Sequence, residues 1–255
     1  DGPLEYIRYY TFGFDELKAP SLFEKGLELY TQFKQAGLSS SITPHAPYST
    51  SFNLMQLILE HCKINKQAVS IHNQESDEEN KLYLSKQGKL AELLTNFGND
   101  LNQWNIPSTR SLPGYFGYIQ SDNPTLLVHN IYTTASDIQP INAKNVFFCC
   151  CPNANLFIEN RLPDLTVLMR ENAQLTIGTD SLASNHQLCI WEEIKTLHHY
   201  FPETSLHTLL NWATLNGARF MRIDEKFGSL EKGKTPGIVA IPNALNFKGS
   251  AKKLL

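Results

Sequence analysis

The sequence predicts an α/β protein in which parallel strands alternate with helices. Five apolar runs rich in β-branched residues have the length and pattern of strands, at 38–43, 68–72, 125–128, 145–150 and 174–177. Segments with helical periodicity separate these runs, and this alternation is typical of β/α units. Polar side chains follow each run: His45, His72, His129, Asn153 with Asn155, and Asp180. Because the carboxyl ends of parallel strands share one edge, we expect a site there, as at the C-terminal face of a (β/α) barrel.

The composition is that of a globular protein of one large domain, or of a domain with an appendage. The chain has 255 residues, 42% of them hydrophobic, and a net charge of −3. The near-neutral charge and the lack of a long basic run argue against a nucleic-acid partner. No apolar run approaches the ~20 residues that cross a bilayer, and Asp1-Gly2-Pro3 does not begin a signal peptide. We therefore expect no membrane partner and a cytoplasmic location.

The cysteines predict buried, reduced thiols. Cys149, Cys150 and Cys151 are adjacent in an apolar run, where neighbouring side chains point to opposite faces of a strand. They cannot form a disulfide framework, and they lack the C-x-x-C spacing of a structural zinc site.

The first half of the chain contains three clear helical segments. Residues 21–36 have helical spacing and end at Gly37, and Ser51 or its neighbours are candidate N-caps for a helix from Phe52. Ser76 precedes an acidic first turn, and the helix it opens is predicted to continue to Phe97.

The second half is predicted in the same way. Residues 99–123 are a loop with a short helix, and their Trp104 and Arg110 either cover a planar ligand or belong to an ordinary surface loop. The remaining expectations are a short helix near 134–140, a turn at 151–155, a helix from Pro163 to Glu171, helices at 187–201 and 205–221, and a strand at 238–241 after the turn 228–234.

The segment 69–75 is the strongest candidate for chemistry. A β-branched run leads into His72, and Glu75 follows three residues later. A strand-end histidine can ligate a metal, and a carboxylate on the next loop can move protons to and from what the metal activates.

Each candidate also has a structural interpretation. His72 or His129 could be a core histidine, Asp180 a helix cap, and His45 part of a rigid loop between prolines. Asn153 and Asn155 suit side-chain to backbone hydrogen bonds in the turn. The ordered recurrence of such residues after successive strands favours a functional site.

Several motifs in this order resemble the amidohydrolase superfamily, in its cytosine deaminase and chlorohydrolase-like branch. They are Pro44-His45-Ala46-Pro47-Tyr48, His72-Asn73-Gln74-Glu75, Val128-His129-Asn130, Cys151-Pro152-Asn153-Ala154-Asn155, Gly178-Thr179-Asp180-Ser181, 213–218 and 228–234. Together they cover most of residues 40–241.

The resemblance implies a partial (β/α)8 TIM-like barrel. Residues 1–225 would carry about strands 4–8, and residues 226–255 would be the C-terminal return to a small β-sandwich. The family's first strand supplies an H-x-H metal motif, and this sequence contains none. The expectation is therefore the C-terminal part of an enzyme, or a short protein whose site lacks two ligands. Gly237 is a smaller departure, since the family often has an aspartate there.

The resemblance also implies roles for five residues around one divalent metal ion, zinc first, with iron or manganese as alternatives. His72 and Asp180 would bind the metal, and Asp180 would orient or deprotonate the hydroxide. Glu75 would shuttle protons to the substrate nitrogen, and His129 would polarise the water or the attacked centre. His45 would contact the substrate.

The predicted function is deamination of an amino-substituted N-heterocycle, a small-molecule substrate, by a metal-activated water. The alternatives are hydrolysis of a ring amide or halide by the same site, and a truncated barrel that binds without catalysis. A homodimer is the expected assembly, because dimers are common in the family. No G-x-S-x-G elbow, phosphate-binding loop or G-x-G-x-x-G motif competes with this interpretation.

Overall fold

The computed structural model describes residues 6–102, 104, 109–117, 119, 123–141 and 145–254. The chain forms two compact units, Asp1–Val146 and Phe147–Leu255. Residues 1–5 lie outside the described residues. They include Asp1-Gly2-Pro3, which was predicted not to begin a signal peptide. Parts of the predicted loop 99–123 lie outside them as well.

The first unit contains parallel strands. They are β1 (Tyr6–Thr11), β2 (Ser39–Pro44), β3 (Val69–Asn73) and β4 (Thr125–His129). β1 pairs with β2 and β3 pairs with β4, both in parallel. Thr43 links the two pairs, because its Oγ1 accepts from Ser70 N at 2.8 Å and donates to Ser70 O.

Helices of the first unit follow its strands. They are α1 (Ala19–Gln35), α2 (Phe52–Ile64), α3 (Asp77–Ser85), α4 (Lys89–Asn96), α5 (Ser111–Phe116) and α6 (Ala135–Ile138). The apolar face of α2 is buried through Leu54, Met55 and Ile58, and Ile71 of β3 is buried as well. Burial of such side chains is the main source of folding free energy, about 1.5–3 kcal/mol for each.

The second unit has its own strands and helices. Its strands are β5 (Val146–Cys150), which begins at the unit boundary, β6 (Gln174–Ile177), β7 (Val239–Ala240) and β8 (Lys252–Lys253). Its helices are α7 (Pro152–Glu159), α8 (Leu165–Arg170), α9 (Ile190–Tyr200), α10 (Leu206–Ala213) and α11 (Leu215–Phe220). β5 pairs with β6 in parallel, whereas β7 and β8 form an antiparallel pair.

The predicted α/β class is confirmed, because parallel strands alternate with helices in both units. The five strands predicted up to residue 177 are present within one residue of their expected bounds, and β7 lies within the strand predicted at 238–241. The sequence analysis missed β1, whose arginine and three tyrosines interrupt the apolar pattern by which the other strands are recognised. The predicted division of the chain at residue 225 stays a prediction.

The single helix predicted from Ser76 to Phe97 is wrong, because two helices occupy this segment. α3 ends where Lys86 adopts a φ of 55°, and Gly88 before α4 has a φ of 92°, so the helical backbone cannot continue. Phe97, the last residue of the predicted helix, is 75% exposed.

Other predicted boundaries also change. The expected turn at 151–155 is the start of α7, with Pro152 at the first helical position, where its missing N–H costs nothing. α8 begins after Asp164, whose Oδ1 accepts from Val167 N at 3.1 Å, so Pro163 lies outside the helix. The long helix predicted at 205–221 is divided into α10 and α11 by Thr214, with φ −127° and ψ −79°.

The prediction for the three adjacent cysteines is confirmed, because Cys149, Cys150 and Cys151 are buried and form no disulfide bond. Cys62 is buried as well. Within the described ranges, none of the helices combines the length and the apolar character needed to cross a membrane.

Candidate active site

Three histidines lie side by side where strands of the first unit end. His45 follows β2 directly, His72 lies near the end of β3, and His129 is the last residue of β4. The ring centroids of His45 and His72 are 4.7 Å apart, and those of His72 and His129 are 5.4 Å apart with the planes inclined by 21°. The ends of β2, β3 and β4 therefore place the three imidazoles in a row.

A backbone carbonyl fixes the ring of His72. Its Nδ1 lies 2.7 Å from His45 O, and the His72 amide also donates to this oxygen at 3.0 Å. A carbonyl can only accept, so Nδ1 carries the proton, and Nε2 of the neutral ring carries the lone pair. Histidines that ligate metals usually donate their second ring N–H in this way.

Glu75 and His129 form a pair. His129 Nε2 lies 3.3 Å from Glu75 Oε1, and the imidazole is 1% exposed while the carboxylate is 18% exposed. Because a carboxylate accepts, the contact requires the proton of His129 on Nε2. Glu75 therefore combines a buried partner with a side that solvent can reach, as proton transfer requires.

His45 is held as a neutral imidazole. Its Nδ1 lies 2.7 Å from Ser49 Oγ, which in turn donates to Ala46 O at 3.3 Å. Burial, followed by repulsion from His72 and His129, lowers the pKa of His45 to about 4. With Nδ1 donating to Ser49 Oγ, Nε2 of the neutral ring carries the lone pair.

Tyr48 adds a phenol to the same loop, although no role was predicted for it. Its ring contacts that of His45 edge-on, with centroids 6.1 Å apart. Burial first, and then the negative charges of Glu75 and Glu79, raise the pKa of Tyr48 above its usual value. The phenol therefore stays protonated at neutral pH and can donate a hydrogen bond.

Asp180 lies in the second unit, three residues after the end of β6. It adopts a left-handed backbone with φ 56°, and Ser184 Oγ donates to its Oδ2 at 2.5 Å. The structure thus brings together His45, His72, Glu75 and His129 within the first unit. The predicted role of Asp180 as a metal ligand beside His72 stays a prediction.

A buried carboxylate that the sequence analysis missed supports the loop of Asp180. Glu193 on α9 is fully buried and accepts from Asn153 N and Nδ2, both at 2.9 Å, and from Asn185 Nδ2 at 2.7 Å. Asn185 Nδ2 also donates to Thr179 O at 2.7 Å. Glu193 therefore ties the start of α7 to the segment before Asp180, and burial raises its pKa. In the sequence it resembles any helical surface glutamate, so no signal identified it.

The amides that flank the site were missed as well. Asn73, Gln74 and Asn130 are 0% exposed and form a hydrogen-bonded network with Thr133. The H-x-x-E spacing identified the ends of this segment but gave no signal for the two residues between them.

Neither Trp104 nor Arg110 is placed to cover a ligand. Trp104 is buried against Tyr83 and Phe14, with ring centroids 5.3 and 4.5 Å away. Arg110 forms an ion pair with Asp137 at 3.0 Å and also donates to Tyr132 O.

The side chains of the site provide part of what a metal ion needs as ligands. His72 offers Nε2 from a ring that is oriented by a carbonyl, which suits zinc, iron or manganese. In the described part of the chain, no three histidine, cysteine, aspartate or glutamate side chains are grouped so that they alone could hold a metal. The fit therefore rests on the orientation of His72.

Comparison with known proteins connects this geometry to a family. The chain is similar to a 5'-deoxyadenosine deaminase of Methanococcus maripaludis, with 26% identity over 85% of this chain and 48% of that protein. Two solved structures share its fold. Helicobacter pylori aminofutalosine deaminase has a TM-score of 0.78 and 22% identity, over 93% of this chain and 60% of that one. An adenosine deaminase from Xanthomonas campestris with bound zinc has a TM-score of 0.68 and 24% identity, over 89% of this chain and 49% of that one.

The chain spans about half the length of the curated relatives it matches. The sequence profile of the amidohydrolase family matches residues 19–254, which is nearly all of the chain. The predicted resemblance is confirmed, and the chain belongs to the amidohydrolase family.

Proposed function

We propose that this chain carries the proton-transfer half of a metal-dependent aminohydrolase, whose substrate is an aminopurine nucleoside. The observation that carries the proposal is the row of His45, His72 and His129 with Glu75 paired to His129. Two of the similar proteins act, by name, on adenosine or 5'-deoxyadenosine, whose base carries an exocyclic amine. This supports an aminopurine over other amino-substituted heterocycles.

A divalent metal, with zinc as the proposed ion, lowers the pKa of a bound water from 15.7 to about 7 and so supplies a nucleophile at neutral pH. His72 would hold it through Nε2, and Asp180 is the proposed second ligand from this chain. His45 Nε2 would accept from a substrate donor, since its Nδ1 is engaged with Ser49.

Glu75 has the central chemical role. As the water oxygen bonds to the ring carbon, Glu75 takes a proton from the water and delivers it to the departing amine. The C–N bond then breaks and ammonia leaves, and the new hydroxyl passes its remaining proton to the adjacent ring nitrogen, so that the ring carries an oxo group in place of the amine. His129 Nε2, which lies 3.3 Å from Glu75 Oε1, donates to the Glu75 carboxylate and orients it for both transfers.

Ammonia release tests the proposal. The zinc-loaded 255-residue chain is incubated with adenosine, 5'-deoxyadenosine, guanine and cytosine, and the expected result is release from the aminopurines. Glu75→Gln should lower the rate by about 10²- to 10⁴-fold, the usual contribution of a general acid–base group. Glu203→Gln, at an exposed glutamate before α10, is the matched control and should keep the wild-type rate.

Zinc content is the companion measurement. His72→Ala and Asp180→Ala should each lower the zinc bound per chain, whereas His207→Ala, at an exposed histidine of α10, should not. The proposal is wrong if the loaded chain releases ammonia from neither adenosine nor 5'-deoxyadenosine, or if Glu75→Gln is as active as the wild type. The predicted homodimer and cytoplasmic location stay predictions.

A further inference from the structure

Asn73 and Gln74 separate His72 from Glu75, and both side chains are 0% exposed. Asn73 Nδ2 donates to Asn130 Oδ1 at 3.0 Å and to Thr133 Oγ1 at 3.2 Å, and its Oδ1 accepts from Tyr115 OH at 2.7 Å. A buried amide with three such bonds has one orientation available to it.

Hydrogen bonds also fix both the side chain and the backbone of Gln74. Its Oε1 accepts from Thr133 Oγ1 at 2.6 Å, and its Nε2 lies 3.3 Å from Asp137 Oδ2. Its backbone N donates to Glu79 Oε1 at 3.1 Å, and its O accepts from Tyr132 N at 3.0 Å. These contacts support a left-handed backbone with φ 45°, which a residue with a side chain adopts at a cost.

Thr133 connects both amides to the loop that follows β4. Its hydroxyl accepts from Asn73 and donates to Gln74, so one oxygen serves both residues between His72 and Glu75. Asn130 N donates to Asn73 O at 3.0 Å, which adds a backbone link between the two loops.

The backbone conformation at His129 depends on this link between the two loops. His129 and Asn130 have φ values of 77° and 60°, so β4 ends in two consecutive left-handed residues. This conformation persists only where surrounding contacts determine it. The contacts that determine it here are those that also hold the segment between His72 and Glu75.

We propose that Asn73, Gln74 and Thr133 are positioning residues that hold the Glu75 carboxylate against His129 Nε2. The inference rests on the proposed function for the role of Glu75 in proton transfer, but the geometry it concerns exists without substrate. A network that only stabilises the two loops would lower stability when broken and leave the His129–Glu75 contact unchanged.

Two substitutions at Thr133 separate these cases. Thr133→Val keeps the shape of the side chain and removes both hydrogen bonds, whereas Thr133→Ser keeps the hydroxyl. Histidine side chains labelled with ¹⁵N report which ring nitrogen carries the proton and how fast that proton exchanges with water. His129→Gln identifies the His129 signals by their loss.

In the metal-free wild-type chain, we expect a slowly exchanging proton on His129 Nε2. Thr133→Val should lose this signal and Thr133→Ser should retain it. If folded Thr133→Val keeps the wild-type His129 signal, the positioning role is overturned. Should Thr133→Val fail to fold, Tyr115→Phe removes one hydroxyl from Asn73, and the same signal decides the question.

Kinetics provide the second readout and separate this inference from the proposed function. With an active chain, Thr133→Val should lower kcat by on the order of 10²-fold with KM little changed, and Thr133→Ser should restore it. An unchanged kcat in Thr133→Val would count against positioning. If the wild-type chain releases no ammonia, the proposed function fails, while the His129 signal still decides the positioning role.

Discussion

Buried charge at single residues shapes the surroundings of the site. Glu79 of α3 is fully buried, and its Oε1 accepts from Gln74 N at 3.1 Å. Burial, as the largest cause, raises the pKa of Glu79 from 4.5 to about 7, against the lowering effect of its hydrogen bonds. A carboxyl group in this range changes charge near neutral pH and couples stability to pH.

The sign of this coupling gives the first prediction. The folded chain binds the Glu79 proton more tightly than the unfolded chain, so stability is complete below about pH 4.5 and falls as pH rises through about 7. The loss amounts to roughly 3 kcal/mol. Glu79→Gln should remove this decline and be more stable than the wild type at pH 8, as measured by urea unfolding across this range.

Glu203→Gln is the matched control and should keep the wild-type profile. The explanation fails if Glu79→Gln shows the same decline with pH as the wild type.

Gly178, which directly follows β6, packs against two thiols. A β-carbon built there would lie 2.9 Å from Cys149 Sγ and 3.3 Å from Cys151 Sγ. Gly178→Ala should therefore cost about 1–3 kcal/mol of unfolding free energy through overpacking. In a double-mutant cycle, Cys149→Ala should recover part of this loss, because it removes the nearer sulfur atom.

Gly217→Ala is the control, since a β-carbon at that position would meet nothing within 4 Å. Additive costs in the Gly178 and Cys149 cycle would show that the contact with Cys149 is not the cause.

At the scale of elements, the first backbone amides of α2 are capped by hydrogen bonds. Ser51 Oγ accepts from Leu54 N at 3.3 Å, and the Glu16 carboxylate accepts from Phe52 N at 3.0 Å and from Asn53 N at 2.9 Å. Because Ser51 N donates to Gly13 O at 2.8 Å, all four amides that lack an intrahelical partner are satisfied. The negative charge also interacts favourably with the positive end of the helix dipole.

Glu16→Ala should lower the free energy of unfolding by about 1–2 kcal/mol, because it exposes two amides and removes the charge. Glu16→Gln keeps one acceptor and should lose less. Urea unfolding measures both variants, with Glu24→Ala on the exposed face of α1 as the control. Equal stability of Glu16→Ala and the control would contradict the capping role.

At the scale of the whole molecule, each of the two compact units has its own strands and helices. In the second unit, the C-terminal segment packs on α9. Phe247 stacks on His198 and on Trp191, with centroids 3.4 and 6.1 Å apart, and Trp191 Nε1 donates to Gly249 O at 3.0 Å. The last part of the chain therefore stabilises the helix that carries Glu193.

Phe247→Ala should reduce the hydrogen-exchange protection of α9 amides while leaving that of α2 amides close to wild type. The physical reason is that the lost stacking belongs to the second unit, and exchange reports local stability. Equal loss of protection in α2 and α9 would show that the two units open together.

Much of the fold could be predicted, because β-branched runs such as 68–72, 125–128 and 174–177 mark strands by themselves. The histidines at strand ends followed directly from that pattern. Gln74, Asn130 and Thr133 could not be recognised, since amides and hydroxyls are as frequent on surfaces as in buried networks. The breaks at Gly88 and Thr214 depend on backbone angles that helical periodicity does not report.

Because most of the thiols are buried, the five cysteines should react with a thiol reagent at very different rates. Burial raises the pKa of Cys62 to about 12 and also raises that of Cys150, and the thiolate is the reactive form. Cys189, before α9, is the half-buried exception among the five. A thiol reagent should therefore modify Cys189 first and the other four only as fast as the fold opens. A dye on Cys189 would then report on α9. The slow reaction at the remaining thiols would time the opening of α2, which bears Cys62, and of β5 and the start of α7, where the other three lie.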